Sequence, residues 1–174
     1  MKILIAYATK YNTTAECAYL LKEQLNKHEV DCIRIGKGGE NIPELSGYDV
    51  VVFGSNVRMA KIDKKLSAYL KENKKTLLER RCAYFLCCGF VDCFEDYLYK
   101  NIPEELIDNA LTVACFGGSL DKDRAKGIDR LIISMVRSNI LGGGDNGQAR
   151  EDISLPTILE PNIAQFADVI KGKV

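Results

Sequence analysis

An unbroken apolar segment followed by a hydroxyl-rich turn constrains the fold of this chain more than any other feature. Residues 3–8 include no charged side chain, which is typical of a parallel strand covered on both faces. The turn at 9–14 supplies hydroxyls and backbone donors but no carboxylate, and a helix then starts near Thr14. Its predicted inner side carries Ala15, Ala18, Leu21 and Leu25. Because the first turn of a helix has unpaired N–H groups and the positive end of the dipole, this pattern predicts a phosphate-bearing ligand.

Length and composition favour an ordinary globular protein. The 174 residues suit one domain with a sizeable core, which we expect to span 1–174. Lys and Arg together number 24, as do Asp and Glu, so no global field favours nucleic acid. No apolar run is long enough to span a bilayer, and no signal peptide precedes the first strand. The seven cysteines include no Cys-x-x-Cys pair, which indicates reduced thiols in a cytoplasmic protein.

Apolar strands alternate with amphipathic helices, which favours an α/β fold with a parallel sheet and helices on both faces. Strands are predicted at 2–8, 30–35, 49–54, 82–88 and 111–116. Helices are predicted at 14–27, at 62–80, at 93–109 with an interruption at Pro103, and at 161–170. A further amphipathic helix at 121–140 and a glycine-rich loop at 142–147 are predicted as an insertion after the fifth strand.

Three loops should meet at one edge of this sheet, because ligands of open parallel sheets bind outside the carboxyl ends of the strands. They are residues 9–14, 55–61 and 89–93. We expect the first loop to hold a phosphate and a flat ring to lie between the other two. The sequence motifs of dinucleotide sites and P-loops are absent after the first strand.

Other chemistries have less support in the sequence. No cysteine is followed six positions later by Arg, as a cysteine phosphatase would require. The positions that hold carboxylates in a response-regulator receiver are Ala8-Thr9 and Gly54-Ser55. His28 is the only histidine, and we interpret it as a surface or capping group, so no metal site is predicted.

The turn after the first strand resembles the phosphate loop of the flavodoxin family, which is commonly Thr/Ser-x-Thr-Gly-x-Thr. Here the corresponding run is Thr9-Lys10-Tyr11-Asn12-Thr13-Thr14. Tyr11 replaces a hydroxyl residue, and Asn12 stands where Gly is usual, although Asn readily adopts a left-handed turn. The resemblance implies FMN as cofactor and a three-layer sandwich with five parallel strands in the order 2-1-3-4-5.

The same resemblance implies a set of cofactor-binding residues from the three loops. They are Thr9, Lys10, Tyr11, Asn12, Thr13, Thr14, Ser55, Asn56, Val57, Arg58, Cys88, Gly89 and Phe90. The alternative for the first loop is an ordinary capped helix start. Arg58 could lie near the pyrimidine end of the flavin, pair with a substrate carboxylate, or be a surface residue. Phe90 could flank the flavin ring or belong to the core, and no catalytic residue is identified.

Three cysteines near the third loop suggest a redox or metal cluster. However, Cys87 and Cys88 are adjacent strand residues that should point to opposite faces and therefore pair poorly. We interpret these two residues and Cys93 as small thiols buried near the ligand.

Several further runs resemble the bacterial flavodoxin-like protoporphyrinogen oxidases of the menaquinone-dependent type. They are the run from Gly54 to Arg58, the run from Gly142 to Asp145 followed by Glu151-Asp152, Phe166-Ala167 in the last helix, and the inserted helix. This resemblance implies an FMN-dependent oxidoreductase with a quinone as an acceptor.

Charge helps to rank the alternatives to this enzyme. An electron carrier between redox proteins is usually acidic, whereas this chain has zero formal net charge, which favours the oxidoreductase. The carrier and a cofactor-free α/β interaction module remain alternatives. The basic residues of 121–140 allow peripheral contact with the inner face of a membrane or with a redox partner protein. Such a helix more often packs on the sheet.

Overall fold

A five-stranded parallel sheet forms the centre of the protein. The computed structural model describes residues 1–10, 12–36, 41–118 and 157–172. The strands are β1 (Lys2–Ala8), β2 (Glu29–Arg34), β3 (Val50–Asn56), β4 (Cys82–Cys87) and β5 (Val113–Cys115). Their order is 2-1-3-4-5, as predicted. Ile5 pairs with Cys32 on one side and with Val52 on the other. The carboxyl ends of β1, β3 and β4 therefore lie side by side.

Helices cover both faces of the sheet, which gives the predicted three layers. In the described ranges they are α1 (Thr13–Gln24), α2 (Lys64–Glu72), α3 (Lys74–Leu78), α4 (Phe94–Asn101), α5 (Glu104–Asp108) and α6 (Glu160–Ile170). Alternate strand residues point to opposite faces. Ile5 and Phe85 pack in one core with α1 and α6. Leu4 and Phe53 pack in the other core with α2 to α5.

The element boundaries agree with the sequence prediction except in three places. α1 ends at Gln24, before the predicted end at residue 27. The helix predicted at 62–80 is two helices, α2 and α3, that meet at Asn73. The Asn73 side-chain amide donates to the Tyr69 carbonyl at 3.0 Å, a local bond that competes with helix continuation. β5 is shorter than predicted, although the N–H groups of Leu111 and Phe116 still donate to carbonyls of β4.

The predicted insertion lies outside the residues that the structure describes. The predictions that fall outside the described residues are the helix at 121–140, the loop at 142–147, the pair Glu151-Asp152 and Tyr11 of the first loop. Within the described ranges, every helix is too short or too polar to cross a membrane.

Candidate functional site

The loop after β1 leaves the start of α1 open. Asn12 precedes α1 with φ 73° and ψ −16°, the left-handed conformation predicted for it, and its side chain makes no capping hydrogen bond. By contrast, α2 is capped by its own carboxylate, because Asp63 Oδ1 accepts from the Lys65 N–H at 2.9 Å. The first N–H groups of a helix have no intrahelical acceptor. The start of α1 can therefore receive an external anion, whereas that of α2 is already occupied.

Two buried hydroxyl groups flank this open helix start. The Oγ1 atoms of Thr9 and Thr14 are shielded from solvent, and neither has a hydrogen-bond partner among the described residues. The Thr14 hydroxyl adjoins the Cys87 thiol, a weak partner at best. A buried polar group without a partner costs about 1–3 kcal/mol. Both hydroxyls therefore retain hydrogen-bonding capacity for a ligand rich in oxygen atoms.

The other residues of the first loop lie around these hydroxyls. Thr13 is half-buried, and Lys10 and Asn12 are exposed. Arg34, which ends the neighbouring strand β2, donates from Nη2 to the Thr9 carbonyl at 3.0 Å. Arg34 was not predicted from the sequence, although the strand order 2-1-3 places the ends of β2 and β1 together. Arg34 fixes the loop and adds positive charge beside it.

The second loop is fastened at its base by hydrogen bonds. Ser55 is fully buried, and its hydroxyl donates to the Asn56 carbonyl at 3.0 Å and accepts from the Asp63 N–H at 3.1 Å. The Val57 N–H donates to the Cys87 carbonyl at 2.9 Å. The Ser55 side chain is therefore engaged within the protein, and Asn56 is the neighbour that reaches the open edge.

A strained turn forms the tip of the second loop. Arg58 and Lys61 exchange two backbone hydrogen bonds of 2.8 and 3.0 Å. The two residues between them, Met59 and Ala60, both have positive φ values of 50° and 58°. Left-handed backbone costs roughly 1–2 kcal/mol for a residue with a Cβ atom. Strain of this kind is common in loops that bind ligands.

A buried amide from a distant helix holds this turn in place. Asn101, the last residue of α4, accepts from the Ile62 N–H at 3.1 Å. It donates to the carbonyls of Ala60 and Tyr97 at 3.0 and 2.7 Å. Nothing in the sequence pointed to Asn101, because it lies about 40 residues from the turn it supports.

The first and second loops enclose a basic groove of about 480 Å³. Its lining residues are Thr9, Lys10, Arg34, Asn56, Arg58, Met59, Lys61, Ile62, Asp63 and Lys64. Five of these side chains are cationic, and the single carboxylate, Asp63, already caps α2. An excess of cationic side chains in a cleft raises the local concentration of anionic ligands. The groove and the open helix start together suit an elongated anion with a phosphate at one end.

The third loop lies apart from this groove. Cys88 is buried, whereas the Phe90 side chain is 41% exposed, which leaves its ring accessible to a ligand. Cys88, Gly89 and Phe90 are absent from the described lining of the groove. The structure therefore brings the first two predicted loops together and leaves the third beside them.

The cysteines near the third loop point to different layers, as predicted. Cys87 packs in the core with Cys17 of α1, and this neighbour and burial raise the pKa of Cys87 well above its usual value. Cys88 instead contacts Cys115, the last residue of β5. This partner was not predicted, because Cys115 has the same apolar strand context as a core residue.

Comparisons with known proteins agree with this architecture. A family model described as a flavodoxin domain matches residues 4–146. No match was found among curated proteins. Oxidised flavodoxin 2 from Bacillus cereus is 21% identical with a TM-score of 0.52, and each chain is covered in full.

Larger proteins contain a similar unit. A flavo-diiron protein mutant from Thermotoga maritima is 14% identical with a TM-score of 0.53, covering 99% of this chain and 36% of that one. Rubredoxin oxygen:oxidoreductase from Desulfovibrio gigas is also 14% identical, with a TM-score of 0.48, covering 99% of this chain and 36% of that one. This chain spans about a third of the length of these two proteins. At such identities, likeness to a solved structure shows the fold alone.

Proposed function

Because this chain belongs to the flavodoxin domain family, we propose that it is an FMN-binding flavoprotein that transfers electrons. The observation that carries the proposal is a pair of buried hydroxyls at the open start of α1. The Thr9 hydroxyl has no partner among the described residues, and the Thr14 hydroxyl has only a weak contact with the Cys87 thiol. A phosphate ester offers each hydroxyl an acceptor and receives the first N–H groups of the helix. The described part of the loop includes no carboxylate to repel it.

The residues present fit FMN in distinct ways. Thr9, Thr14 and the backbone at Thr13 would hold the phosphate, while Arg34 keeps the loop in position through the Thr9 carbonyl. Asn56, Val57 and Arg58 would lie along the ring together with Cys88, Gly89 and Phe90 of the third loop. The exposed ring of Phe90 supplies a flat apolar surface for that contact.

The protein contributes position and electrostatics to the reaction. When bound, FMN supplies redox chemistry that no side chain provides. The cationic groove favours negative charge at this edge of the sheet. Asn101 and Ser55 hold the second loop, so its backbone groups keep a fixed orientation toward a bound ring. A fixed orientation lowers the reorganisation that accompanies a change of charge.

We further propose that the protein is an oxidoreductase resembling the flavodoxin-like protoporphyrinogen oxidases, with a quinone as acceptor. The balanced net charge supports this assignment, since a carrier that docks on basic partners is usually acidic. The groove supports it as well, because Arg34 and Arg58 can bind carboxylates of an anionic substrate. An electron carrier between redox proteins is the second candidate, and its partner would be a protein with an acidic docking face.

Cofactor content tests the first proposal. The purified chain is incubated with excess FMN, passed through a gel-filtration column and examined by visible absorbance. We expect retained absorbance and about one FMN per chain, identified by mass spectrometry after denaturation. A colourless protein after this treatment would favour the interaction module and remove the basis for electron transfer.

Turnover separates the enzyme from the carrier. The FMN-loaded protein is mixed anaerobically with protoporphyrinogen and a soluble quinone, and porphyrin fluorescence is followed. The oxidoreductase predicts catalytic formation of porphyrin that depends on both the protein and the quinone. A loaded protein that accepts electrons from a reductase but never turns over protoporphyrinogen would favour the carrier.

A further inference from the structure

Two buried cysteines, neither of which has been assigned a redox role, face each other where β4 and β5 end. The Sγ atoms of Cys88 and Cys115 are 3.3 Å apart, although the residues are 27 positions apart in the chain. Their exposed fractions are only 3% and 5%. A disulfide needs about 2.05 Å between the sulfur atoms, so they would have to approach by little more than about 1 Å.

Two glycines bring these sulfur atoms together. Gly117 has φ 75°, and a Cβ atom there would collide with the Thr157 carbonyl. A Cβ atom on Gly118 would lie 2.9 Å from the carbonyl carbon of Cys88. The backbone after β5 therefore packs directly against the backbone after β4. This contact fixes the two cysteines as neighbours.

Hydrogen bonds assign different roles to the two sulfurs. Cys115 is placed as an acceptor, since the Gly117 N–H donates to its Sγ at 3.4 Å. The Cys88 thiol donates to the Phe90 carbonyl at 3.6 Å, and its Sγ lies 3.3 Å from Cys115 Sγ, a contact in which either sulfur can donate. The bond from the Cys88 thiol, helped by the backbone N–H, lowers the pKa of Cys115 to about 6 against the effect of burial. The same contact, together with burial, raises the pKa of Cys88.

Cys115 is one of the residues that line a surface groove. The groove has a volume of about 330 Å³, and its lining includes Val91, Phe94, Cys115, Asn162 and Val169. The Asn162 amide donates to the Cys115 carbonyl at 2.8 Å and holds the backbone at the groove wall. The groove is therefore large enough for the small organic part of a mixed disulfide at Cys115.

We propose that Cys88 and Cys115 form a thiol–disulfide exchange site for low-molecular-weight disulfides. The Cys115 thiolate attacks one sulfur of the reagent disulfide, whose S–S bond breaks and releases one thiolate. The Cys88 thiol then loses its proton to solvent and attacks Cys115 Sγ, which forms the internal disulfide and releases the second thiolate. Both released thiolates take up protons from water. The two cysteines lose two electrons in total, and the reagent gains them as two thiols.

The chain also offers an internal control. Cys17 and Cys87 form a second thiol pair in the core between α1 and the sheet, with exposed fractions of 0% and 5%. Cys17 raises the pKa of Cys87, and neither residue lines a groove described for this chain. This pair should stay reduced under conditions that oxidise Cys88 and Cys115. Thiol–disulfide exchange needs no bound FMN, so a failure of this proposal can be distinguished from a failure of the proposed function.

Peptide mapping of the full chain tests the site. The reduced protein, with any bound cofactor retained, is incubated with oxidised glutathione, blocked with iodoacetamide and digested for mass spectrometry. We expect a peptide that links Cys88 to Cys115, with Cys17 and Cys87 still reduced. In the Cys88→Ser variant, a glutathione adduct should accumulate on Cys115, because the resolving thiol is missing. In the Cys115→Ser variant, both products should be lost.

Cys93→Ser is the matched control, since Cys93 is the other thiol next to the third loop. It should form the Cys88–Cys115 disulfide as the unmodified chain does. The proposal is overturned if Cys88 links to Cys93, if Cys17 or Cys87 reacts first, or if the chain stays fully reduced. Mapping of the unmodified chain needs no substitution, so the test does not depend on the folding of any variant.

Discussion

The hydroxyl groups of Thr9 and Thr14 should lower the free energy of unfolding of the free protein and stabilise its complex with FMN. Each is buried at the open start of α1 with no hydrogen-bond partner among the described residues except the weak contact of Thr14 with the Cys87 thiol. We predict that Thr14→Val, which keeps the shape and removes the hydroxyl, leaves the apo protein equally stable or more stable. The same change should weaken FMN binding about ten-fold or more, because a hydrogen bond to a charged group contributes about 1.5–3 kcal/mol. Thermal unfolding of the apo protein and titration with FMN measure the two effects.

A control of the same chemistry isolates the site. Thr76 lies exposed on α3, far along the sequence from the loop, and Thr76→Val should leave FMN affinity unchanged. Equal affinity of the Thr14→Val variant and the unmodified chain, together with a less stable apo protein, would mean that the hydroxyl serves the fold and not a ligand.

The reactivity of Cys115 should depend on pH in an unusual range. Its pKa is lowered to about 6, first by the Cys88 thiol, so the thiolate is the main form above that pH. We predict that alkylation of Cys115 by iodoacetamide rises between about pH 5 and 7 and then levels off. In the urea-unfolded chain, the alkylation rate of Cys115 should depend on pH as that of an ordinary thiol does, with its rise near pH 8.5. A folded-state profile that matches the unfolded one would contradict the assignment of Cys115 as the attacking thiolate.

The strands and most helices could be predicted because their signals are local. Apolar runs marked the first four strands to within about two residues, and Pro103 marked the break between α4 and α5. The break at Asn73 was missed, because a single Asn within an amphipathic pattern is ordinary until its side chain is seen to bond Tyr69. β5 was predicted too long, since an apolar run does not show where the regular ladder ends.

The candidate site depends partly on long-range contacts that no local pattern encodes. Asn12 was predictable, because a left-handed turn before a helix favours Asn or Gly. Arg34 was missed, although the strand order that the family resemblance implies places the end of β2 beside the end of β1. Asn101 and Cys115 could not be predicted, because their partners come from distant parts of the chain.

The link between α4 and the second loop can be tested through Asn101. Replacing Asn101 by Ala leaves the Ile62 N–H and the Ala60 carbonyl without these partners, in a turn that is already strained. We predict a loss of about 1–3 kcal/mol in the free energy of unfolding, measured with urea. Asn109→Ala is the comparison, since Asn109 makes one exposed bond to the Leu78 carbonyl. It should cost less than about 1 kcal/mol, and a cost equal to that of Asn101→Ala would contradict this role.

The whole molecule combines a family fold with a charge distribution of its own. The sheet order and the two cores place three loops at one edge, and the groove there is cationic although the chain is neutral overall. The fold was predictable from alternating strands and helices, since covering both faces of a parallel sheet leaves few arrangements. The substrate could not be predicted from the sequence, because proteins with related folds differ in the few side chains at their loops.

The most direct test of the account is a comparison of FMN with riboflavin, which differ only by the phosphate. The apo protein is titrated with each ligand by fluorescence quenching under the same conditions. We predict saturable FMN binding at least about 100-fold tighter than that of riboflavin, a difference of about 2.7 kcal/mol. Equal affinities, or no saturable binding of FMN, would contradict a phosphate site at the start of α1 and the electron-transfer function built on it.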